Sequence, residues 1–86
     1  LMKLKIFSHS GEILYSSSSE DIGTVNQNDY FLETVSRGDP FTKVVQKDSN
    51  SLDGQVVTTD VVETYVPVMS GSNFIGAFEI YYDILI

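Results

Sequence analysis

The residues able to do chemistry in this chain are few, and their spacing favours binding over catalysis. There is one histidine, His9, and no cysteine. A serine or cysteine nucleophile needs a base beside it that a third group orients, so neither a Ser-His-Asp nor a Cys-His arrangement is readily assembled. Clustered His and Cys ligands for a structural metal are missing too. His9 stands in Ser8-His9-Ser10-Gly11, a turn-prone run, and is expected to be exposed and not a haem or metal ligand. The six glycines fit neither GxGxxG nor GxxxxGK followed by Ser or Thr, so no phosphate cradle is expected. Asp48-Ser49-Asn50-Ser51-Leu52-Asp53-Gly54 begins like a calcium loop. Its twelfth position holds Thr59 where a bidentate Glu is required, and strands flank it instead of helices, so a solvated loop is expected. Neither a cofactor nor a catalytic residue is expected.

What remains is a set of polar side chains suited to holding a small molecule. Tyr30, Arg37, Tyr65 and Tyr82 are expected to line a pocket between a helix and a sheet, where hydroxyl and guanidinium donors orient a polar ligand. Taken singly, the tyrosines also suit half-buried packing positions, and Arg37 also suits the helix end. Glu63 interrupts an apolar strand, and an unpaired buried charge is costly, so it needs a ligand amine, Lys43, Arg37 or an exposed rim position.

Positioning these groups falls to short β-prone runs and one helix. Leu4-Lys5-Ile6-Phe7 and Ile13-Leu14-Tyr15, joined through Ser8 to Gly11, read as a hairpin. Ser16 to Gly23 reads as a polar loop. Asn26 or Asn28 caps a helix with Asp29 in its first turn and Arg37 in its last, and Gly38-Asp39-Pro40 stops it. Phe31, Leu32 and Val35 form its apolar stripe. Phe41 to Lys47, Gln55 to Met69 and Phe74 to Ile84 supply three more strands, and Ser70 to Asn73 turns the chain between the last two. Pro67 marks an edge or a bulge, and Gly76 opposite leaves room for it.

With an even-numbered turn, Met69 pairs with Phe74, Glu63 with Ile80, Tyr65 with Phe78 and Val61 with Tyr82. That register leaves apolar residues on both faces of the last hairpin, and one helix covers only one face. A second cover is therefore expected: a lost helix, a second copy of the chain or a parent protein. The fold class predicted is α+β, a single domain over residues 1–86.

Size and charge narrow the partners. A domain of 86 residues buries roughly 60 to 65% of its unfolded surface, so an absent element leaves apolar area open. Five Lys plus Arg against twelve Asp plus Glu give a net charge of −7, which disfavours nucleic acid and anionic lipid. The absence of cysteine suits reducing and oxidising compartments alike. No apolar run is long enough to span a bilayer. The last run, Tyr81 to Ile86, is still apolar, and the natural chain is expected to continue past both ends.

In order, Ile6-Phe7-x-x-x-Gly11-x-Ile13-Leu14-Tyr15-Ser16-Ser17, Ile22-Gly23, Tyr65-Val66-Pro67-Val68 and Ile75-Gly76-Ala77-Phe78-Glu79-Ile80-Tyr81-Tyr82-Asp83 resemble an extracytoplasmic Cache, or PAS-like, sensor domain over nearly the whole chain. Ser10-Gly11 stands where that family often has Asp-Gly. The resemblance implies a PAS-like five-stranded antiparallel sheet around a small-molecule pocket, here without the long helix that precedes the first strand. It further implies a periplasmic domain in a membrane-anchored parent, serving a histidine kinase, a chemoreceptor or a diguanylate cyclase. An organic acid, amino acid or amine is the expected ligand, a homodimer the expected assembly, and Phe74 to Ile86 the output element. A ligand-free dimerisation or relay module, and a cytoplasmic PAS domain with a cofactor, are the competing readings.

Overall fold

A computed structural model describes residues 2–52 and 54–84. Five strands, β1 (Met2–Ser8), β2 (Ile13–Ser16), β3 (Phe41–Val45), β4 (Val61–Ser70) and β5 (Asn73–Asp83), form one antiparallel sheet in the order β2-β1-β5-β4-β3. With the short helix α1 (Asp29–Glu33) packed on one face, this is a PAS-like α+β fold whose first described element is β1. Of the expected output element, Phe74 to Asp83 lie in β5. Leu85 and Ile86 lie outside the described residues, as does Asp53 of the acidic loop.

The helix is shorter than its sequence signals predict. Asn28 takes the N-cap position, but the chain leaves α-geometry at Thr34 and ends as a 3-10 turn, Val35–Arg37. Gly38 closes that turn at φ +93°, a left-handed conformation that favours glycine over residues bearing a Cβ. Phe31 and Val35 are fully buried. Leu32 is not part of their stripe: in so short a helix only one side meets the sheet, and Leu32 is 51% exposed.

Phe31 meets Phe7 at 5.3 Å and the edge of Phe74 at 6.0 Å between ring centroids. Ile13, Val35, Tyr65 and Ala77 complete that cluster. Burying a side chain the size of Phe31 is worth roughly 1.5–3 kcal/mol. A second cluster, Val45, Val57 and Val61 with Tyr81 against it, lies where the loop after β3 folds back. That loop is organised by its own backbone: Asp48 N–H donates to Val57 O at 2.8 Å, and Val57 N–H to Ser49 O at 3.0 Å. The strand predicted from Gln55 accordingly begins only at Val61.

The closing hairpin departs from its predicted register by one residue. Met69 does pair with Phe74, but a bulge follows, and Val68 then faces Gly76. Beyond it Tyr65 pairs with Glu79, Glu63 with Tyr81 and Val61 with Asp83, in place of Phe78, Ile80 and Tyr82. Since side chains alternate at a period of two, this slip exchanges the faces of β5. Ala77, Glu79 and Tyr81 turn toward α1, while Phe78, Ile80 and Tyr82 join Val62, Val66 and Val68 on the other side. Gly76 makes the slip possible, because a Cβ there would sit 2.6 Å from the Phe7 carbonyl oxygen. Pro67 pairs with Ala77 of β5 but lies beyond the last β3 pair, Phe41 with Tyr65, so on the β3 side it sits at a sheet edge, where proline is tolerated.

Candidate functional site

Under α1 the inner face of the sheet carries a row of side chains across four strands, Lys5, Glu79, Tyr65 and Phe41. Two charged groups in that row are buried: Lys5 and Glu79 are 6% and 3% exposed. Burial of that kind is costly without a partner. Lys5 Nζ lies 3.8 Å from Glu79 Oε1 and 3.6 Å from Asp21 Oδ2, which arrives from the 3-10 turn Ser19–Asp21.

The segment after that turn is pinned beside β2. Ile13 N–H donates to Thr24 O, Gly23 N–H to Ile13 O and Asn26 N–H to Gly11 O, each at 2.8 Å. It thereby sets Asn26 over the tyrosines. Asn26 Nδ2 donates to the Tyr30 hydroxyl at 2.9 Å and the Tyr65 hydroxyl at 3.3 Å, and the two hydroxyls are 3.0 Å apart. Asn26 Oδ1 accepts from Asn28 N–H and Nδ2. Tyr30 stacks on Phe41 at 4.9 Å, which fixes the ring that carries its hydroxyl. Burial, and then the negative charge of Glu79, push the Tyr65 hydroxyl far above its ordinary value, so it stays protonated.

These groups surround a cleft of about 210 Å³ between the sheet, the 21–30 segment and the loop after β3. Its walls include Lys5, Asp21, Asn26, Tyr30, Gln55 and Tyr65. A wider hollow of about 420 Å³ along the β3 edge, from Lys43 to Gln46, is lined by no buried polar side chain among the described residues. The first cleft is the one that a ligand with polar groups could read.

Of the residues expected at a pocket, Tyr30 and Tyr65 meet at this cleft. Arg37 does not line it; the helix ends early, and the turn that follows leaves Arg37 exposed. Tyr82 is on the opposite face, 43% exposed, because the bulge reverses β5 beyond Gly76. Glu63 is fully buried one row from the cleft, and its Oε2 accepts the Leu52 N–H at 2.9 Å, so it anchors the loop that forms one wall. Its cross-strand neighbour Lys43 is exposed. Lys5, Asp21, Asn26 and Glu79 are site residues that sequence reasoning misses. The available signal is Lys5 alternating with Leu4 and Ile6, and Glu79 between Phe78 and Ile80: opposite charges at the same phase of two apolar strands.

Among the described residues no group of three His, Cys, Asp or Glu is placed to hold a metal ion, and no helix is long and apolar enough to cross a membrane. No protein-family model matches the chain, and no curated protein matches it as a relative.

Proposed function

We propose that this domain is an extracytoplasmic small-molecule sensor of a membrane-anchored receptor, of the kind that serves a histidine kinase, a chemoreceptor or a diguanylate cyclase. The support is the cleft. Its polar walls, Lys5, Asp21, Asn26, Tyr30 and Tyr65, already hold one another in place, Lys5 with Asp21 and with Glu79 behind it, and Asn26 with both tyrosines, so a ligand meets a site whose side chains are ordered before it arrives. The lining joins β1, β2, β4, α1 and both long connections, and Glu79 extends it to β5, so occupancy bears on the central strand that serves as output.

A library of organic acids, amino acids and amines, screened by thermal unfolding of this chain, tests the proposal. A ligand at a hundred times its Kd adds about 2.7 kcal/mol. The expected result is a hit whose amide shifts cluster on Lys5, Asn26, Tyr30 and Tyr65. A broad library with no stabilising member overturns the proposal.

A second reading, a dimerisation or relay module without a ligand, draws on the outer face of the sheet. There Ile6, Phe78 and Val66 form one cross-strand row, and Val62 and Val44 pair in another. Val44, Val66 and Phe78 are exposed, an apolar patch that a second copy would cover.

A further inference from the structure

We infer that the open edge of β3 is a docking strand, to which an extended, acidic peptide segment adds as a sixth strand of the sheet. No residue of β3 lines the cleft, so this use of the edge is independent of what the cleft holds.

The two edges of the sheet are finished differently. At the β2 edge, Ile13 gives its N–H to Thr24 O and accepts the Gly23 N–H on its own carbonyl, each at 2.8 Å, and Glu12 bridges Val25, so a following segment already lies alongside. β3 is paired with β4 through all its residues, from Phe41 with Tyr65 to Val45 with Val61. On its other side, among the described residues, no backbone bond reaches residues 41–45. In an antiparallel edge strand the N–H and C=O of alternate residues point away from the sheet, so this edge offers a row of donors and acceptors about 17 Å long, at about 3.4 Å per residue. The hollow of about 420 Å³ lies beside it, lined by Lys43, Val44, Val45, Gln46, Ser49 and Asn50, and leaves space for another backbone. Ladder bonds give an added strand its hold, and its alternate side chains give selectivity.

Charge selects the occupant. Residues 41–47 include no carboxylate and two of the chain's five cationic residues, Lys43 and Lys47, although the whole chain carries a net charge of −7. Both lysines are exposed, whereas Glu63, cross-strand from Lys43, is fully buried, and Asp48 and Asp60 lie past the end of β3. Lys43 belongs to one face of the strand and Val44, 60% exposed, to the other, so a segment alternating acidic with β-branched residues meets both. A second copy is the poorer fit. Paired antiparallel about the middle of β3, it sets Lys43 opposite Lys43, and like charges facing across a ladder are destabilising.

Three capped hexapeptides test this, each titrated into the chain while its amides are followed by NMR: alternating Val and Glu, alternating Val and Lys, and the Val-Glu peptide N-methylated at every residue. The Val-Glu peptide should give saturable shifts confined to residues 41–47, and the other two none. Lys43→Gln, whose spectrum verifies the fold, should weaken the Val-Glu peptide about threefold. If that peptide gives no saturable shift at residues 41–47, or its N-methylated form binds as well, strand addition is wrong. If the Val-Lys peptide binds as tightly, or Lys43→Gln leaves the affinity unchanged, the acidic assignment is wrong. If the amides of residues 41–47 move instead with the chain's own concentration, the edge belongs to a second copy and the proposal falls.

Discussion

The covered face of the sheet holds Lys5, Glu63 and Glu79 at 6%, 0% and 3% exposure, whereas the open face presents Val44 at 60% and Phe78 at 39%. A sheet with one wet face ordinarily arranges these the other way round. The difference separates two jobs. The covered face gives up apolar burial for ordered charge beside a cleft, and the open face keeps the apolar side chains that a further layer would need. Polar groups lie on the side of the sheet that carries the cleft, and greasy ones on the side that α1 leaves uncovered.

The contrast breaks most sharply at its charged end. Lys5→Met should cost about 3–5 kcal/mol in urea unfolding, because Glu79 stays buried without its cation, and the double change with Glu79→Leu should recover most of that loss. A cost below about 1 kcal/mol would mean that the covered face is wetter than its burial implies.

The next effect is alkaline. Folded Tyr65 keeps its proton where the unfolded chain loses it, above its ordinary value of 10.0. Unfolding therefore releases a proton there, and stability falls as pH rises, by about 1.4 kcal/mol per pH unit from this group. Tyr65→Phe should flatten the slope by that amount; an unchanged slope would show that the hydroxyl ionises in the folded chain.

Smallest is the open face. Val44→Thr and Val66→Thr should each change the stability of the isolated chain by less than about 0.5 kcal/mol. If copies associate through this face, the same pair lowers the sedimentation coefficient to that of a monomer. Association that survives both changes would remove the outer face as the contact.

Strand and helix positions are legible in the sequence because alternation and turn residues mark them: Ser8 to Gly11, Gly38-Asp39-Pro40 and Ser70 to Asn73 all turn or stop the chain as their chemistry predicts. The site is half legible. Tyr30 and Tyr65 are recognisable as lining because aromatic hydroxyls near a helix and a strand suit a pocket. Lys5 and Glu79 escape notice because a polar residue alternating with apolar ones reads as facing solvent, and here that assignment is reversed. Tyr82 is misplaced by a single event, the bulge after Met69, which alternation cannot report because the pattern of β5 is intact on either side of it. Gly76 is the one local mark of the slip, and a strand glycine suits close packing against a neighbouring backbone as well as it suits a bulge.

β5 is hydrogen-bonded along both flanks, to β1 from Met2 with Tyr82 through Ser8 with Gly76 and to β4 over nearly its full length. A tug along its axis therefore loads two ladders in shear, with many bonds sharing the force, instead of peeling them open in turn. Held between two partners, the strand spreads a longitudinal load over the middle of the sheet instead of concentrating it at one edge.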